Sequence, residues 1–141
     1  MIKYILIAAI IWGGYSYWKE HSSEAATNKY ILATKSENGF VALPQPSGTS
    51  ARQVLIFAPQ NCSSAEARRA DEIAAQLARH NIPYARLDNA NFDSIQDEAD
   101  FKRLDAVMRG SVPIVFIGGR GKANPAPQDV VAEYRAMRRS L

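Results

Sequence analysis

The sequence predicts an α/β domain in which strands alternate with helices, preceded by a single transmembrane helix and a short β-hairpin. Three observations predict it. Two continuous apolar runs, VLIFA at 54–58 and IVFI at 114–117, have the character of strands buried on both faces. Stretches with helical apolar spacing separate and follow them. An uncharged run, YILIAAIIWGGYSYW at 4–18, opens the chain between Lys3 and Lys19.

Composition narrows the function classes. With 141 residues, 47% hydrophobic and 22% charged, the chain has room for one ordinary globular domain plus small extras. The net charge of +3 is too mild to argue for nucleic acid, and no nucleic-acid partner is expected. One cysteine, Cys62, excludes an internal disulfide, and two histidines, His21 and His80, exclude a Cys/His zinc cluster. No metal site is expected. Chemistry must come from one thiol, from carboxylates or from a bound molecule.

Residues 1–20 form the expected anchor. At about 1.5 Å per residue, residues 4–18 span about 22 Å, short of a hydrocarbon core of roughly 30 Å, and the flanking lysines extend that reach by snorkelling. Trp12, Tyr15, Tyr17 and Trp18 gather where an interfacial belt belongs. The charge bias favours a cytoplasmic N-terminus, which puts the remainder outside the cytoplasm, in a periplasm-like compartment. A cleaved signal peptide ending at Ser23-Glu24-Ala25 competes with this reading, but that site lies past Lys19, Glu20 and His21.

Residues 21–52 are expected to be a linker carrying a hairpin. KYILAT at 29–34 and GFVAL at 39–43 flank Asn38-Gly39, a pair that tolerates positive φ. PQPSGTS at 44–50 has linker composition.

Residues 53–141 form the domain. After the first strand, Ser63-Ser64-Ala65-Glu66 has capping-box spacing and opens a helix to about Arg79. Ala70, Ile73, Ala74 and Leu77 make its inward stripe, and Arg68, Arg69, Asp71 and Glu72 its solvated face. His80 follows as a partner of the C-terminal dipole. Residues 82–87 hold a second strand. Ser94 is expected to cap a helix ending at Gly110, with Ile95, Phe101, Leu104, Val107 and Met108 as its apolar side. Residues 111–117 form a third strand entered through Pro113, residues 118–121 (GGRG) a turn, and residues 128–139 a last helix burying Val130, Val131, Tyr134 and Met137.

The order strand, Asn61-Cys62-Ser63-Ser64-Ala65, helix, Ile82-Pro83-Tyr84 with Asp88, helix, Ser111-Val112-Pro113-Ile114-Val115-Phe116-Ile117, glycine turn and helix resembles the glutaredoxin branch of the thioredoxin fold over residues 53–139. The resemblance implies a thioredoxin-like (glutaredoxin-like) fold, a central mixed sheet flanked by helices, with Cys62 at the start of the first helix and a cis Pro113 facing it. It implies Cys62 as the nucleophile, with Asn61, Ser63, Val112 and Pro113 as substrate contacts. It also implies Asp129 and Arg120 as groups that could meet a charged end of glutathione, the cofactor the family suggests. A helix N-terminus favours thiolate, the attacking form in disulfide exchange.

The departures are as informative. Ala65 stands where the second thiol of Cys-x-x-Cys belongs, Pro59 where the family has lysine, and Ser64 where it has tyrosine. Residues 123–129 replace the usual Gly-Gly…Asp segment. Two functions from different classes stay open. One is a membrane-anchored, extracytoplasmic monothiol oxidoreductase acting on a protein thiol or mixed disulfide. The other is a redox-inert module that binds an envelope protein partner.

Overall fold

The computed structural model describes residues 31–59 and 63–140. The order is α1 (residues 31–34 of it described), β1 (Val41–Ala42), β2 (Val54–Phe57), α2 (Ser64–Arg79), β3 (Tyr84–Leu87), α3 (Glu98–Met108), β4 (Ile114–Ile117), β5 (Arg120–Ala123) and α4 (Pro127–Arg139). The five strands form one mixed sheet in the order β1-β5-β4-β2-β3. Only β2 and β3 pair in parallel, joined through α2; β2–β4, β4–β5 and β5–β1 are antiparallel.

Strand parity divides the core into two layers, because successive side chains leave opposite faces of a sheet. Val54, Ile56, Val115 and Ile117 pack on one face with Ala70, Ile73, Ala74 and Leu77 of α2 and Val130 and Val131 of α4. Leu55, Ile114 and Phe116 pack on the other with Leu104 of α3. Helices on both faces explain why β2 and β4 are apolar throughout rather than alternating. Phe40 is fully buried in the first layer, and Val41 and Leu43 are buried in the second, so residues 40–43 are part of the core.

The expected hairpin does not form. Residues 31–34 are helical, with Thr34 Oγ1 donating to the Ile31 carbonyl, and the turn at 36–39 leads into a strand that pairs elsewhere. Val41 and Ala42 register against Gly121 and Arg120 of β5. Gly121 makes that approach feasible, since a Cβ there would collide with Leu43 Cδ1. The expected transmembrane helix is also not found: no helix among the described residues is long and apolar enough to cross a membrane, and residues 4–18 lie outside them.

Smaller corrections follow the same logic. The cap of α3 is Asp97 and not Ser94: its carboxylate accepts from the Asp100 amide at 2.8 Å. Starting there, the helix leaves Ile95 outside itself, and Phe101 is 56% exposed instead of core. Arg120 and Gly121 belong to β5, so the turn narrows to Gly118 and Gly119, both at positive φ. In α4 the buried residues are Val130, Val131 and Glu133, with Tyr134 and Met137 only partly covered.

Candidate functional site

The carboxyl end of β2 and the entrance to β4 lie side by side, because Phe57 and Ile114 are register partners. The β2–α2 connection and the Val112–Pro113 turn therefore emerge at the same end of the sheet. The Ala58 amide donates to the Leu87 carbonyl at 2.9 Å, prolonging the β2–β3 pairing by one residue before Pro59 ends it. Gln60, Asn61 and Cys62 lie outside the described residues, so the expected nucleophile and one expected contact receive no placement. Ser63 is the cap of α2: its Oγ accepts from the Glu66 amide at 3.3 Å, and its own amide donates to Glu66 Oε2 at 3.1 Å. This reciprocal pair fixes where the helix begins. It also commits the Glu66 carboxylate, which would otherwise face the helix start as a free negative charge.

The Val112–Pro113 peptide bond is cis. Pro113 is fully buried, and its carbonyl accepts from the Asn124 amide at 2.8 Å, tying the turn to the β5–α4 connection. The Val112 carbonyl accepts from Arg69 Nη2 at 3.0 Å. Arg69, in the second turn of α2, is thus not part of the solvated face; it is half-buried and joins the helix to the turn. Its Nε is buried without a hydrogen-bond partner. Its position carried a usable signal, since Arg69 lies four residues before the buried Ile73 and borders the inward stripe. Asp71, by contrast, faces outward and pairs with Arg86 at 2.6 Å.

The two residues expected to meet a charged ligand end are not brought together. Asp129 sits in the first turn of α4, 3.7 Å from Lys122 Nζ, on the element that follows the Asn124–Pro113 contact. Arg120 opens β5 opposite Ile117, at the far end of β4 from Pro113. Four strand residues at roughly 3.3 Å each put it about 13 Å from Pro113 along the strand. There its Nη1 donates to the Thr34 carbonyl at 2.9 Å and it lines a cavity of about 350 Å³ with Ser36, Asn38, Gly118 and Glu133. Glu133 is only 5% exposed, and its Oε2 accepts from Ser36 Oγ at 2.9 Å and Asn38 Nδ2 at 3.0 Å. Its spacing from Val130 and Met137 puts it on the apolar stripe of α4, a signal visible in the sequence. His80 caps the C-terminal end of α2, with Arg135 Nη2 3.0 Å from its Nδ1.

Comparison with known proteins adds no assignment. No protein-family model matches this chain, and no curated protein or solved structure matches it either. No group of three or more His, Cys, Asp or Glu side chains among the described residues could hold a metal ion.

Proposed function

We propose that this chain is a monothiol thiol–disulfide oxidoreductase of the glutaredoxin branch, acting through Cys62. The observation that carries the reading is the convergence at one end of the sheet. The end of β2, the capped start of α2 and the Val112–Pro113 turn meet there, linked by the Phe57–Ile114 register and the Arg69–Val112 hydrogen bond, and Cys62 immediately precedes the cap residue Ser63 in the sequence.

The chemistry needs one thiol per chain and one from outside. The Cys62 thiolate attacks one sulfur of a mixed disulfide, forming a Cys62–substrate disulfide and expelling the other sulfur as thiolate. A second thiolate, from glutathione or a partner protein, then attacks the substrate sulfur of that bond and returns Cys62 as thiolate. The sequence is exchange without net oxidation. Ala65 supplies no internal thiol to shorten it. Ser63 and the Val112–Pro113 backbone are the proposed substrate contacts, with Asn61 beside the nucleophile and Asp129 available to a charged ligand end.

The test is turnover of a glutathione mixed disulfide by the wild-type chain and by Cys62→Ser. The reading predicts turnover that the substitution abolishes; equal rates in both would refute it. The same proposal assigns the domain to the outside of the cytoplasm, on the charge bias around residues 4–18. A C-terminal reporter active only outside the cytoplasm checks that compartment, and a cytoplasmic readout would overturn it.

The second reading, a redox-inert module for an envelope partner, is favoured by Ala65 and by the Val112 carbonyl being already engaged by Arg69. It predicts that Cys62→Ser leaves the biological role intact.

A further inference from the structure

We propose that the cavity beside the β4–β5 turn binds a small aliphatic α-amino acid, its ammonium group on Glu133 and its carboxylate on Arg120. The site lies at the far end of β4 from Pro113 and does not rest on the exchange reading or on Cys62.

Glu133 carries a charge into the interior that no described residue neutralises. It is 5% exposed, and both donors on its Oε2, Ser36 Oγ and Asn38 Nδ2, are uncharged. No cation among the described residues forms an ion pair with it. Holding the turn at residues 36–39 uses one oxygen only. Oε1 accepts no hydrogen bond among the described residues, yet it is not sealed in. The side chain lines the cavity, and the one buried side-chain atom without a partner among the described residues is Arg69 Nε, elsewhere. A buried carboxylate is costly unless a cation or enough donors meet it, and packing alone would be served by an apolar residue at this place on the α4 stripe.

Arg120 lines the same cavity with a charge that is also unmatched. Its Nη1 donates to the neutral Thr34 carbonyl, and no carboxylate among the described residues pairs with it. A carboxylate and a guanidinium therefore share one space without pairing with each other. A simple cation there would meet Arg120, and a simple anion would meet Glu133. A molecule with both charges a few bonds apart suits both ends. Oε1 needs an N–H donor, which selects an ammonium group over a quaternary amine. A guanidinium matches a planar carboxylate with two parallel N–H donors.

Size and wall chemistry narrow the class further. At about 350 Å³ the cavity is at the small end of the roughly 300–1,000 Å³ of ligand sites, which fits a compact molecule. Ile117, Ala136 and Met137 give it an apolar side, suited to an aliphatic side chain. Gly118 keeps that side open, since a Cβ there would collide with Met137 Sδ and displace it.

The experiment titrates the full chain with three probes that share one aliphatic group: L-leucine (both charges), 3-methylbutylamine (ammonium only) and 4-methylpentanoate (carboxylate only). The Met137 methyl resonance reports occupancy. The proposal predicts a saturable shift with leucine and an affinity about tenfold or more above that of either analogue. Glu133→Gln keeps an acceptor for Ser36 and Asn38; it should weaken leucine about tenfold and leave 4-methylpentanoate no weaker. Arg120→Gln should weaken leucine similarly and leave 3-methylbutylamine no weaker. Ala136→Leu fills the cavity without altering either charge and should abolish the leucine shift. No saturable shift with leucine, or an affinity unchanged in Ala136→Leu, would overturn the site. Leucine no tighter than 3-methylbutylamine or 4-methylpentanoate would overturn recognition by the two charges.

Discussion

Replacing Glu133 tests whether a buried carboxylate holds the N-terminal segment onto the sheet. Its Oε2 accepts from Ser36 and Asn38, while Ser36 Oγ accepts from the Phe40 amide at 3.2 Å and Lys122 Nζ donates to the Asn38 carbonyl at 3.1 Å. One carboxylate thereby orients the turn that delivers Phe40 to the core and Val41 to β5. Hydrogen bonds to charged groups contribute about 1.5–3 kcal/mol each. The full sum is not lost on truncation. The adjoining cavity of about 350 Å³ admits water to the freed donors, and removing a buried anion recovers part of its desolvation. Glu133→Ala should therefore destabilise by about 2 kcal/mol, lowering Tm by roughly 8 °C or more. Glu133→Gln, which keeps an acceptor oxygen, should lose about half as much. Urea unfolding of the purified protein measures both, with the slope m unchanged if the loss lies in the native state. Coupling to Asn38→Ala in a double-mutant cycle should exceed about 0.5 kcal/mol. A loss below about 0.5 kcal/mol for Glu133→Ala, or strict additivity with Asn38→Ala, would refute the reasoning.

Ser63→Ala removes one half of the capping box and should cost about 1 kcal/mol in urea unfolding, whereas Ser63→Asn should cost a few tenths. Gly118, at φ +52 with Met137 directly over it, should lose more than about 1 kcal/mol on substitution by alanine, read as a lowered Tm. Ala65→Cys restores a thiol on the exposed first turn of α2 and should add activity on substrates that need two vicinal thiols. Unchanged activity there would argue that residue 65 does not face the substrate.

Much of the domain was legible because its elements announce themselves by period. The stripe Ala70, Ile73, Ala74 and Leu77 is the buried face of α2, and the apolar runs of β2 and β4 are the strands packed on both sides. What escaped was decided by tertiary partners. Six apolar-rich residues at 29–34 do not choose between strand and helix by pattern alone, and the described part is helical. β1 is two residues long and exists by pairing with β5, whose own sequence RGKA has no strand signature. Asp97 prevailed over Ser94 because several capping residues compete in one polar stretch. At the site, Val112, Pro113 and the Ser63 cap were readable from motif and spacing. Arg69 was legible only in part: it borders the apolar stripe of α2, but a charged residue there is ordinarily solvated, and the position of the Val112 carbonyl is what turns it inward.

The central claim is that Cys62 is a working nucleophile, and its alkylation rate as a function of pH tests that most directly. Measured on the full native chain with a small uncharged reagent, the account predicts rapid modification at neutral pH. The half-maximal rate should fall below the value of about 8.5 for an unperturbed thiol. A thiol that reacts only after unfolding, or whose rate rises as a free cysteine does, would contradict it.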